Sequence, residues 1–161
     1  MHFTVYLSSL LLLAITSFGQ NGIPFNVGRF NKYVVINNRV NYFEAWRGCQ
    51  YYGQQLASIT TREENEILRE LLDMPEHANH TYWIAGTDVG RKGSWIWITN
   101  NEPVVLFTNW GHVGPDMSQR QNCMTVGRFA DDRTMWDDVE CDQNMYFICE
   151  RIPRKPIRYV S

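Results

Sequence analysis

Apolar and polar positions divide the chain into three regimes. From Val5 to Ile15 nearly every side chain is apolar, and polar Gln20-Asn21-Gly22 lies beyond. A run this short at the amino end, closed by small Ser17 and Gly19 around Phe18, predicts a cleaved secretory signal over residues 1–19. It is short for a membrane span, which needs about 20 residues. In the second regime, Phe30 to Ile36 alternates as a β-branched strand and Asn37-Asn38 supplies a turn. Asn41 then opens a helical pattern with Ala45, Cys49 and Tyr52 one turn apart, which Gly53 stops. Thr61 and Glu64 have capping-box spacing, and Ile67, Leu68, Leu71 and Leu72 form one apolar stripe before Pro75. After Tyr82 the pattern turns to short aromatic strands between Gly, Asn and Asp turns: Tyr82 to Ala85, Trp95 to Ile98, Cys123 to Val126 and Tyr146 to Glu150. Two early helices followed by strands predict an α+β domain with short antiparallel sheets. Asn100 to Gln121 carries little regular pattern, and a loop that long within a compact domain is functional or disordered.

Composition supports one well-filled domain. Six Trp, eight Tyr and eight Phe in 161 residues supply a large aromatic core. A net charge of −2 excludes a general polyanion binder, and no nucleic-acid partner is expected. Arg151, Arg154, Lys155 and Arg158 place +4 on a Pro-interrupted tail, residues 151–161, and leave −6 on the remainder. Four cysteines in a secreted chain imply two disulfides, for which residue counting allows three connectivities. His2, His77, His80 and His112 have no spacing suited to zinc, and Asp131-Asp132 reads as an exposed-turn pair. Asn79-His80-Thr81 is a glycosylation sequon in a polar stretch. Trp83, Trp95, Trp97 and Trp136 read as core, whereas Trp110 stands at the mouth of the long loop.

The chemistry concentrates in Gly114-Pro115-Asp116, Gln121-Asn122-Cys123 and Trp136-Asp137-Asp138, with Cys141 and Cys149 behind them. Three carboxylates and an amide on loops clamped by disulfides are hard oxygen donors of the type that hold Ca²⁺. Their order resembles the carbohydrate-recognition domain of C-type lectins, as do Trp83-Ile84-Ala85-Gly86 and Phe107-Thr108-Asn109-Trp110. The resemblance runs from Asn26 to Glu150, after a short lead over residues 20–25. It implies disulfides Cys49–Cys149 and Cys123–Cys141, a cis peptide before Pro115, and a long ligand loop. It also implies Ca²⁺ as cofactor and glycan contacts through Asp116, Gln121, Asp137 and Asp138. Two of the family's five ligand positions, Asp116 and Asp138, are intact. Gln121 stands where the family has Glu, Asp137 where it has Asn, and Gly114 offers no side chain. The exchanges at 121 and 137 oppose each other, so the formal charge stays at −3, and the lost Gly114 ligand predicts weak metal binding. The family's second Ca²⁺ site is matched by Asp88 but not by Lys92, Gln121 or Asn122, so that site is expected to be absent.

The function expected is that of a secreted, non-enzymatic, glycan-binding module, weakly calcium-dependent, in extracellular recognition such as immunity or matrix organisation. The alternative is a metal-independent module of the same fold that binds a protein or an extracellular-matrix polymer. Glycan or glycoprotein is the expected partner, and no transmembrane segment follows the signal. An enzyme is disfavoured, since no nucleophile elbow, zinc helix or phosphate-binding Gly loop is present in the sequence.

Overall fold

The computed structural model describes residues 32–152, apart from Val113 and Met117. The expected signal segment, the expected lead and the tail beyond Ile152 lie outside the described residues. In chain order the elements are β1 (Tyr33–Val40), α1 (Tyr42–Tyr51), β2 (Gln55–Leu56), α2 (Arg62–Leu72) and β3 (Tyr82–Thr87). There follow β4 (Ile96–Trp97), β5 (Glu102–Pro103), β6 (Gln121–Val126), β7 (Asp137–Glu140) and β8 (Met145–Glu150). The α+β expectation holds, but the strands join one branched sheet, ordered β1-β8-β3-β4-β5, with β2 on β8 and the β6–β7 hairpin on β3.

β1 and β8 pair antiparallel, Tyr33 opposite Glu150, which brings the two ends of the domain together. β8 then runs parallel to β3, Tyr82 opposite Tyr146. Every residue of β3 is buried, as expected of a central strand covered on both faces. Gly86 on this strand is required by packing, because a Cβ there would lie 2.5 Å from the Met124 Sδ. Tyr42, Leu56, Leu68, Leu72, Trp83 and Trp136 are fully enclosed in the core. The Tyr42 hydroxyl can be buried because it donates to the Ala85 carbonyl oxygen at 2.8 Å.

Three local readings need correction. Asn37 and Asn38 do not turn the chain: β1 continues through them to Val40, with its register slipping between Ile36 and Val40. Pairing with β8 on either side, at Ile36 and Val40, overrides the weak strand preference of asparagine, and the two asparagines fall within the irregularity between those pairs. The Thr61–Glu64 pair is half a capping box. The Thr61 hydroxyl accepts from the Glu64 N–H at 3.1 Å, but the Glu64 carboxylate reaches one residue further, to the Thr60 N–H at 2.7 Å. The reciprocal box belongs to α1, where Asn41 Oδ1 accepts from Glu44 and Glu44 accepts from the Asn41 N–H. Finally, Asp132 is no free turn residue: it takes both terminal nitrogens of Arg69, at 3.0 and 3.2 Å, tying the β6–β7 turn to α2. Burial opposes its charge, but hydrogen bonds from Thr134 and Arg69 outweigh that and hold its carboxyl below the ordinary range.

Cys49–Cys149 joins α1 to β8, and Cys123–Cys141 joins β6 to the chain just after β7. These are the pairings that the resemblance implies.

Candidate functional site

The site forms where the long loop meets the β6–β7 hairpin. β7, like the two-residue β2 and β5, is a strand that sequence reasoning missed, here because consecutive aspartates oppose strand formation. It pairs with β6, Met124 opposite Asp138 and Thr125 opposite Asp137. Alternation along the strand then divides the two acids: Asp138 is 2% exposed, whereas Asp137 is half-buried. The loop is pinned against the hairpin by backbone bonds, Trp136 N–H to the Asn109 oxygen at 2.7 Å and Gly111 N–H to the Trp136 oxygen at 2.8 Å. Trp110 packs edge-on between Trp95 and Trp136, at 4.8 and 5.6 Å, and is thus part of the loop's foundation. His112 is bonded to Asp131 at 2.8 Å on the exposed rim.

All four predicted site residues gather here. The Gly114–Pro115 peptide is cis. The Asp116 N–H donates to both oxygens of Asp138 at 3.2 Å. With the Gln121 amide turned so that its nitrogen, and not its oxygen, faces the Asp116 carboxylate, it donates to both carboxylate oxygens, and Asp116 Oδ1 also accepts from the Ser118 N–H at 2.6 Å. Asp137 Oδ2 accepts from Arg128 at 2.6 Å. Burial pushes the Asp138 carboxyl above its ordinary range, aided by the Asp116 charge and opposed by the Asp116 N–H. Burial likewise raises Asp137, against the pull of Arg128.

The donor set fits Ca²⁺ poorly in this arrangement. A cation of that class takes 6–8 oxygen ligands. Here each of the carboxylates at 116, 137 and 138 already receives a protein N–H. Among the described residues no group of three or more acids, histidines or cysteines is disposed to hold a metal. Gly114 adds nothing, although the backbone would admit a side chain: a Cβ there meets only ordinary contacts, 3.4 Å to Trp110 and 3.8 Å to Asp138 Oδ1.

The position of the family's second metal site is closed more completely. Asp88 is buried, and its oxygens accept from Asn122 Nδ2 at 2.7 Å and from the Gly93 N–H at 2.7 Å. The Lys92 ammonium lies 3.4 Å from Asp88 and donates to the Gln121 carbonyl at 2.7 Å, linking the two loops. Arg128 was not legible beforehand, because its partner lies nine residues on and only the hairpin register brings them together.

Residues 38–151 match the family described as the lectin C-type domain. The chain belongs to the C-type lectin domain family. Perlucin from Haliotis laevigata is 27% identical over 134 residues, covering 81% of this chain and 84% of perlucin. Among solved structures, the mouse scavenger receptor C-type lectin carbohydrate-recognition domain superposes with a TM-score of 0.66 at 24% identity, covering 76% of this chain and 89% of that one. A calcium-independent type II antifreeze protein does so with a TM-score of 0.63, also at 24% identity, over 74% of this chain and 84% of its own. This C-type lectin domain therefore shares its fold both with a carbohydrate-recognition domain and with a protein described as calcium-independent.

Proposed function

We propose that this C-type lectin-family chain is a secreted, non-enzymatic recognition module whose loop face binds glycan by direct hydrogen bonds and does not require Ca²⁺. The observation that carries this reading is the pairing of Asp137 with Arg128 at 2.6 Å, a protein cation standing on a carboxylate that the family resemblance assigns to the metal. Gln121 on Asp116 and Lys92 beside Asp88 repeat the same solution with other donors. Arg128 with Asp137, and Gln121 with Asp116, then offer donors and acceptors in pairs, the complement that a vicinal diol needs. All four cysteines lie in disulfides, which leaves no thiol for nucleophilic chemistry. No described helix is long and apolar enough to cross a membrane.

Asp138 favours a second reading. It is enclosed, lies next to another acid, and accepts the Asp116 N–H through both oxygens, so a cation there would relieve its burial cost. In that reading Ca²⁺ is weakly held by Asp116, Gln121, Asp137 and Asp138, displacing Arg128. A glycan array probed in Ca²⁺ and again in chelator separates the readings. The same glycans bound under both conditions support the proposal, and loss of all binding in chelator establishes the calcium reading. Glycan silence in both, with retention on a defined matrix polymer, establishes the protein-or-matrix alternative.

A further inference from the structure

Away from the loop face, a cleft of about 490 Å³ opens between the α2–β3 connection and the start of β8. Its volume falls in the roughly 300–1,000 Å³ range of small-molecule sites. Its walls are amide and cationic groups around one aromatic ring: Arg39, Asn79, Gln143 and Asn144 beside Tyr146 and His80. The ring and the guanidinium are fixed. Arg39 donates to the Asn144 oxygen through Nε and Nη2, at 3.2 and 3.0 Å, and lies 5.9 Å from the Tyr146 centroid. His80 meets the same ring edge-on at 4.9 Å.

Asn79 is both exposed and part of the cleft wall, and it opens the sequon Asn79-His80-Thr81. Its backbone is in the left-handed region, φ 64°, between the short 3-10 turn Pro75–His77 and β3. This turn is held rigidly, because Arg133 donates to the His77 and His80 oxygens at 2.7 and 2.9 Å. A substituent on the Asn79 amide therefore starts within the cleft, from a backbone that does not need to be ordered to receive it.

We propose that this cleft is the seat of the chain's own N-linked glycan, with the first N-acetylglucosamine on Asn79 lying against Tyr146 and its polar groups facing Arg39 and Asn144. In attachment, the Asn79 Nδ2 attacks the anomeric carbon of a lipid-diphosphate-linked oligosaccharide. The new N–C bond forms as the C–O bond to the diphosphate breaks, the lipid diphosphate departs, and the amide nitrogen gives up one proton. The tyrosine supplies an apolar face for the sugar ring, and the amides and guanidinium match its acetamide and hydroxyls. The inference does not rest on the loop site. It requires only that the chain pass through a glycosylating secretory pathway.

The test uses the full chain secreted from a eukaryotic cell, with intact mass read before and after trimming to a single N-acetylglucosamine. Occupancy of Asn79 is expected, and an unmodified Asn79 in secreted protein overturns the proposal. The trimmed protein should melt about 3 °C above the sequon-less Thr81→Ala chain, a shift of the size one well-made contact gives in a domain of this length. The difference should disappear when Tyr146→Ala is added to both. Equal melting of the trimmed and sequon-less chains overturns the seat. Since Tyr146→Ala can weaken folding by itself, the decisive reading is a nuclear Overhauser contact between the sugar acetamide methyl and the Tyr146 ring protons. Its absence in the trimmed wild-type chain also overturns the proposal.

Discussion

Arg128 and Asp138 set the behaviour of the loop site in opposite directions. Arg128 is 57% exposed on its side chain, so its pairing with Asp137 is partly screened, and Arg128→Ala should cost no more than about 1 kcal/mol. The same change uncovers the Asp137 carboxylate, so the variant is expected to melt higher in Ca²⁺ than in chelator, whereas the wild type shows a smaller difference or none. Differential scanning fluorimetry in the two buffers measures it. For Asp138 the linkage runs against the usual direction for an acid. Its folded proton affinity exceeds its unfolded one, so the native state binds more protons between the two values, and stability falls as pH rises through that window. Asp138→Asn keeps the acceptor for the Asp116 N–H and removes the buried charge. Its melting temperature should exceed that of wild type at neutral pH, and the gain should fade as the pH falls through that window and the wild-type carboxyl takes up its proton. A gain that persists unchanged in acid would contradict the burial argument. Gly114→Gln should fold normally, since the added Cβ finds only ordinary contacts beside Asp138. Combined with Gln121→Glu and Asp137→Asn it tests, by calorimetry with Ca²⁺, whether the missing oxygens alone account for a weakened site, and tighter Ca²⁺ binding than in the wild type is the expected outcome.

At the level of elements, what was legible was what local pattern controls. α2 follows from the stripe Ile67, Leu68, Leu71 and Leu72, and α1 ends where Gly53 takes φ +68°. The errors sit where distant chain decides. Asn37-Asn38 has the composition of a turn, yet β8 holds it in a strand, and Asp137-Asp138 has the composition of a loop, yet β6 makes it β7. Arg69 and Asp132 are 63 residues apart, and nothing in either segment announces the other. The motif residues of the site could be placed from their order in the chain. What occupies them was legible only for Lys92, which stands in a ligand position of the second site, because Arg128 is an ordinary surface residue until the hairpin folds and brings it to Asp137. The two helix starts give a direct comparison. Asn41→Ala removes a reciprocal box, and Thr61→Ala removes only one arm, with Glu64 still anchored on Thr60. Urea unfolding should show a loss of about 1–2 kcal/mol for Asn41→Ala and a smaller one for Thr61→Ala.

For the whole molecule, the two disulfides differ in what they enclose. Cys49 and Cys149 are 100 residues apart and span nearly the entire domain, whereas Cys123 and Cys141 are 18 apart and brace the site hairpin. Chain-entropy arguments give about 4.7 kcal/mol for the long loop and about 3 kcal/mol for the short one. Replacing Cys49 and Cys149 by Ala should therefore lower global stability more in denaturant titration, and replacing Cys123 and Cys141 should instead raise hydrogen exchange first in β6 and β7. The Lys92 bridge between Asp88 and the Gln121 carbonyl has a consequence of a different sort. An ion borrowed from solution leaves when the medium is depleted of it, and any ligand that depends on it leaves too. An ammonium carried on the polypeptide keeps one effective concentration at its post, whatever the surroundings supply. On the proposed reading, a partner held by a face braced in this way is retained or released on its own affinity, insensitive to the mineral content of the fluid around it.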